Sequence, residues 1–217
     1  MNKKNLFIFL IFLSGFIINV ISVQIVSSSF KELQGALGAS VEQISYIMSA
    51  SLIAEVIIIP FSGWLAKLLS TRVLFLISIS GFIFSCLGCA LSTNYFSMVL
   101  FRGLQGFFGG AMLPIMTSSI YTLFDKKRIP FILSIAATFG VSSIALGPIL
   151  GGFLTQYLDW RWMFLYNIPI GIVLFFLAYF FIDLLDKEKG LFSKIDYQGI
   201  IYLAIGLISL LLFVGAA

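Results

Sequence analysis

The sequence predicts an all-α transmembrane protein of about seven spans, and three observations carry that expectation. The 217 residues are 60% hydrophobic and only 10% charged, with a mean hydropathy of +1.11. Soluble domains carry roughly 25% charge, so this chain cannot cover a water-facing surface and lipid must be most of its solvent. Seven apolar runs reach the ~20 residues that a helix needs to cross a bilayer. Lys and Arg also fall unequally on alternate connections, as they do in multi-pass proteins.

The runs cover residues 6–30, 44–66, 73–92, 95–121, 130–157, 163–182 and 197–217. The first opens MNKKNLFIFLIFL, with the basic start and apolar core of a signal peptide. No A-x-A-like cleavage site follows and the run continues to Phe30, so it reads as a retained span. The second carries Glu55. The third carries Cys86 and Cys89 in a CxxC without partner ligands, which reads as small packing residues on one helix turn. The fourth contains LFRGLQGFFGG with Arg102 at its centre. The fifth contains GVSSIALGPILGG, in which Pro148 removes a backbone donor and bends the helix. The sixth follows LDWR, and Trp160 and Trp162 fall where indole rings favour the outer headgroup level. The expected organisation is a six-helix unit over 1–185, a cytoplasmic loop over 186–196 and a seventh helix over 197–217, where the chain ends abruptly.

With the N-terminus placed in the cytoplasm, one side holds Lys3, Lys4, Lys67, Arg72, Lys126, Lys127, Arg128, Lys187, Lys189 and Lys194. The other holds only Lys31 and Arg161. Ten against two is a strong asymmetry, and losing one internal span would scramble it. The net charge of +4 lies in short clusters rather than on a face that could follow a phosphate backbone, so nucleic acid is not an expected partner. There is no histidine, which excludes Ser-His and Cys-His chemistry. Nor is there a metal-ligand cluster, phosphate loop or nucleophile–base pair. No enzyme activity, metal or cofactor is expected.

Two ionisable residues lie deep in spans, Glu55 and Arg102. Each costs about 2.5–3.5 kcal/mol on insertion scales, so both should face protein or a wet cavity. Three roles stay open for Arg102: bonding backbone carbonyls and Gln105 to lock helices, pairing with Glu55, or acting directly on substrate or protons. Gly103, Gly106, Gly109 and Gly110 would let another backbone approach, with Gly106 and Gly110 as a small-xxx-small pair. In the fifth span Gly140, Gly147 and Gly151 share one face, beside Pro148 and Gly152. That face suits either a hinge or a static close contact. SGWLAKLLSTR, with Gly63, Lys67 and Arg72, reads as a cytoplasmic loop with two positive charges.

Four of these stretches, in this order, resemble the major facilitator superfamily. LFRGLQGFFGG is similar to its fourth-helix pattern and SGWLAKLLSTR to the loop between its second and third helices. ALGPILGG resembles the fifth-helix pattern of antiporters, and YLDWRWMFLYNIPIG the outer loop and sixth helix. The nearest likeness is the EmrB/QacA-type drug:H+ antiporter group, over about 40–217. The resemblance implies an N-terminal six-helix half of a major facilitator fold plus one further helix. It implies that Arg102, with Gln105 and Gly106, serves proton coupling near the first helix, and that Gly147, Pro148, Gly151 and Gly152 set the direction of exchange. Two positions depart from the pattern. Lys67 stands where the loop pattern has Asp, and Ser22 where the first helix carries an acid. Glu55 is then the remaining deep carboxylate, either as proton carrier or as the counter-charge of Arg102.

The expected function is export of small amphipathic compounds against protons across the inner membrane. It would be carried out by a truncated or split half that needs a second half, self-association or a periplasmic adaptor. The alternative is a membrane remnant that transports nothing and binds other membrane proteins.

Overall fold

A computed structural model describes residues 3–182. The loop expected over 186–196 and the seventh span over 197–217 lie outside the described residues. Within them the chain forms α1 (Lys3–Gln24), a 3-10 turn (Ile25–Ser28), α2 (Phe30–Leu37), α3 (Val41–Leu69), α4 (Thr71–Leu91), α5 (Tyr95–Gly110), α6 (Met112–Leu123), α7 (Ile129–Tyr157), α8 (Trp162–Leu165) and α9 (Asn167–Phe181). Six spans result: α1 with its 3-10 turn, α3, α4, α5–α6, α7 and α8–α9.

Two spans are double because of proline. Pro114 cannot donate to the carbonyl of Gly110, and the fourth span breaks at Ala111. Pro169 cannot donate to Leu165, and the sixth breaks at Tyr166. Pro60 and Pro148 sit inside α3 and α7, which stay helical across them.

Helix starts are marked locally. Ser40 and Gln43 form a capping box on α3, with the Gln43 amide donating to Ser40 Oγ at 3.2 Å and the Ser40 amide to Gln43 Oε1 at 2.9 Å. Asn94 Oδ1 accepts from the Ser97 amide at 2.9 Å and caps α5.

The first, third and fourth spans are the inner ones, with half or more of their apolar windows buried, while the second, fifth and sixth keep most of theirs open. α1 packs on α6 and α7, α3 on α5, and α4 on α5 and α9. Phe12 and Phe75 meet edge to face at 5.0 Å in the centre, beside the buried Phe82, Met98 and Met112.

Contacts between helix ends show the alternation that the charge count required. Asn5 Nδ2 donates to the Leu123 carbonyl at 2.8 Å, Phe9 meets Phe124, and Phe7 meets Phe181 at 5.0 Å. One end of the bundle thus gathers the start of α1 with the ends of α6 and α9. Arg72, in the first turn of α4, joins it by donating to the Tyr179 carbonyl at 2.5 Å with its guanidinium over the Tyr179 ring. At the other end Ser29 and Thr155 hydroxyls lie 2.9 Å apart.

Two local expectations change. SGWLAKLLSTR is not a loop: α3 runs through Leu69, Gly63 and Lys67 are helical, and Ser70 alone turns the chain into α4. Leu65, Ala66, Leu68 and Leu69 continue the apolar repeat, so the helix has no reason to stop earlier. Ser70 adopts φ 80° and ψ 150°, a region nearly reserved for glycine, and its hydroxyl accepts from the Val73 amide at 3.4 Å. The connection after the first span is largely helical too, as α2 ends at Gly38 with φ 58°. Of the two tryptophans expected at the outer end, Trp160 is buried against Phe164 and Trp162 is exposed.

Candidate functional site

α5 presents Met98, Arg102, Gln105, Gly106, Gly109 and Gly110 inward, spaced as one helix face. Small residues on that face bring its neighbours close. A Cβ on Gly106 would strike the Ser51 backbone, and one on Gly110 would lie 2.9 Å from Glu55 Cα. A Cβ on Gly109 would strike the Asn19 amide oxygen. Gly103, expected to share this duty, has open space before it, because it points off the packed face.

This approach encloses Arg102, which is fully buried. Its Nη1 donates to the Ser22 carbonyl at 3.2 Å and to Gln105 Oε1 at 2.6 Å, and its Nη2 donates to Ser51 Oγ at 2.8 Å. Gln105 Nε2 donates to Ser22 Oγ at 2.8 Å and to Cys86 Sγ at 3.0 Å. Asn167 Nδ2 reaches the same Ser22 hydroxyl at 3.1 Å. Four spans and the start of α9 therefore converge on one knot, with Ser22 at its hub. The position that the resemblance assigns to an acid is the one facing Arg102. The guanidinium is held by neutral dipoles, and its Nε has no partner.

Glu55 is not in that knot. Ser51 is level with Gly106, and Glu55 lies one turn further along α3, level with Gly110. Its Oε1 accepts from Asn19 Nδ2 at 3.1 Å, and its side chain is half-buried. Of the three roles left open for Arg102, direct pairing with Glu55 is not formed. The contacts to the Ser22 carbonyl and to Gln105 are.

The fifth-span glycines meet the first span. A Cβ on Gly147 would lie 2.5 Å from Gln24 Cβ, one on Gly151 would strike the Ile25 carbonyl, and Phe16 lies 3.1 Å from the same point on Gly140. Ser29 Oγ donates to the Gly151 carbonyl at 3.4 Å. Gly152 faces open space, and Pro148 lies between Gly147 and Gly151 on an uninterrupted α7. Gly63 also faces open space. Between α1, α6 and α7 lies a cavity of about 340 Å³, walled by Phe16, Met116, Leu133 and Ile144 with Thr117 as its polar group.

Asn19, Ser51 and Asn167 were not singled out from the sequence. The signal was present: an amide inside FIINVIS or YNIPIG costs free energy in lipid unless bonded, as a charge does, only less.

Residues 8–213 match the Major Facilitator Superfamily. The chain belongs to that superfamily. It is 36% identical over 202 residues to the colistin resistance protein EmrB of Acinetobacter baumannii, covering 91% of this chain and 38% of that protein. It is 32% identical over 191 residues to the multidrug transporter protein MdtP of Bacillus subtilis, covering 87% and 34% respectively. It is 30% identical over 207 residues to multidrug resistance protein 3 of the same bacterium, covering 94% and 40%. The chain thus spans about two fifths or less of the length of these curated relatives. As a multi-pass bundle it matches the fold class expected from composition.

Proposed function

We propose that these six spans are one half of a proton-coupled exporter of amphipathic compounds, with the basic end of the bundle in the cytoplasm of an inner-membrane protein. The observation that carries the reading is the enclosed Arg102 with Glu55 one turn away along the same α3–α5 seam. A charge held by neutral dipoles in a low-dielectric interior responds strongly to a charge change close by. In this proposal Glu55 gains and loses the proton, Asn19 orients it, and Arg102, Gln105 and Gly106 transmit the change between α1, α3 and α5. Gly147, Pro148, Gly151 and Gly152 give the fifth span the surface on which it shifts against α1.

The names of the relatives support a multidrug substrate class, and the apolar cavity beside Phe16 and Met116 suits greasy compounds. The open second and fifth spans leave surface for a second half, a second copy or an adaptor. The reading is of a carrier rather than an enzyme, and Arg72 acts by holding the cytoplasmic ends of the third and sixth spans together.

The test is dye efflux in a pump-deficient host, with the chain expressed alone and together with the reading frame that follows it. The expected result is extrusion that collapses with the pH gradient and is lost on Glu55→Gln. Dye retention in both arms overturns the proposal.

A further inference from the structure

Between α1 and α7, toward the basic end, lies a groove of about 660 Å³. Its walls are apolar: Leu6, Leu10 and Ile17 from α1, and Phe131, Ile135 and Phe139 from α7. Lys127 and Arg128 form its mouth. Phe131 and Phe139 are at least half exposed, so no described helix covers the groove. Lys127 and Arg128 are exposed as well, and neither pairs with a carboxylate among the described residues. The neighbouring 340 Å³ cavity lacks such a mouth, which sets this groove apart.

We propose that this groove binds an anionic phospholipid, its phosphate on Lys127 and Arg128 and one acyl chain along α1 and α7. Two observations choose this occupant. The first is length. Leu6 to Ile17 rises about 16 Å along α1, which matches the ~15 Å hydrocarbon depth of one leaflet. A chain whose headgroup sits at the mouth therefore ends where the groove ends. The second is charge. Lys126, Lys127 and Arg128 follow one another with only Asp125 beside them, at the end that also carries Lys3 and Arg72. Basic pockets between spans on the cytoplasmic side recognise anionic headgroups. The volume is also in the ~300–1,000 Å³ range of small-molecule sites. A bound lipid would wedge the first and fifth spans at their basic ends, the two helices whose glycine seam lies farther along. The proposal is separate from drug export and stands whether or not the chain transports.

The test reconstitutes the full chain carrying Phe131→Trp in zwitterionic nanodiscs. A small fraction of the lipid is brominated on its acyl chains, as either phosphatidylglycerol or phosphatidylcholine. The reading is tryptophan quenching in excess of that of the chain without the new Trp. Brominated phosphatidylglycerol is expected to half-saturate quenching at about a tenth of the mole fraction that phosphatidylcholine needs. K127Q/R128Q should erase that preference, and Arg161→Gln at the opposite end should not. Millimolar inorganic phosphate should leave it intact. Both charge changes are at exposed positions, and binding of the anionic lipid by native mass spectrometry supplies a reading that needs no added Trp. Equal quenching by the two lipids overturns the proposal, as does displacement by phosphate. Absence of excess quenching also overturns it and points to protein or drug as the occupant.

Discussion

Two seams of this bundle are built alike and do different work. In one, α5 lies on α3 with Gly106 against Ser51 and Gly110 against Glu55. In the other, α7 lies on the first span with Gly147 against Gln24 and Gly151 against Ile25. Each uses two glycines four residues apart, so that a ridge of missing side chains admits a neighbouring backbone. The first seam closes over a guanidinium, three of whose donor contacts are fixed. The second is joined by neutral groups: the Ser29 and Thr155 hydroxyls, and the Ser29 hydroxyl on the Gly151 carbonyl. Close packing sets the distance between helices in both. What differs is the penalty for moving. Separating the first seam takes Ser51 from a buried charge, whereas separating the second loses only contact and weak hydroxyl bonds. The lesson is that the glycine pattern alone does not distinguish a lock from a sliding surface; the polar groups it encloses do.

The comparison can be broken most severely at Arg102. Arg102→Ala should abolish transport in the assembled carrier. It should also destabilise the purified chain by about 1 kcal/mol, the sum of its two interhelical bonds, to the Ser22 carbonyl and to Ser51 Oγ, at the magnitude found in membranes. Arg102→Lys keeps the charge without the planar fork and should recover only part of the stability. A melt in detergent reads both, and wild-type stability in Arg102→Ala would mean that the first seam is not locked by this residue. Glu55→Gln comes next and splits function from packing. Transport driven by a pH gradient should vanish while the melting temperature moves little, because the amide keeps the contact with Asn19. Unchanged efflux would remove Glu55 from the mechanism.

Gly106→Ala and Gly151→Ala sharpen the comparison. Each places a methyl against backbone, costing about 1–3 kcal/mol. If the seams differ as described, the cost at Gly106 exceeds that at Gly151, since only the first also displaces Ser51 from Arg102. Equal costs would show that packing alone governs both. The smallest effect belongs to Gly152→Ala and Gly103→Ala, which meet open space and should be neutral or stabilising within about 1 kcal/mol. A large loss of stability at Gly152 would mean that the described packing of α7 is wrong.

The reading from residues reached Arg102, Gln105, Gly106 and Ser22, because a charge in an apolar run and a gap in a familiar pattern are visible in one dimension. It did not reach Asn19, Ser51 or Asn167. Neutral polar residues are common in membrane helices, and their significance depends on which helix faces them. It also placed Lys67 and Gly63 in a loop, because the turn at Ser70 uses a backbone shape that its residue type does not advertise.

The sequence by itself determined that lipid surrounds this chain, where the six described spans run and which ends of them share a side. Hydropathy and charge act on each segment separately, so they can be read along the chain. Only the tertiary structure decided that Ser22 is a hub, that Glu55 bonds Asn19 instead of Arg102, and that Gly103 and Gly152 pack against nothing. Those outcomes depend on the level at which one helix meets another. A shift of a single turn, about 5.4 Å, separates an ion pair from two groups with different partners.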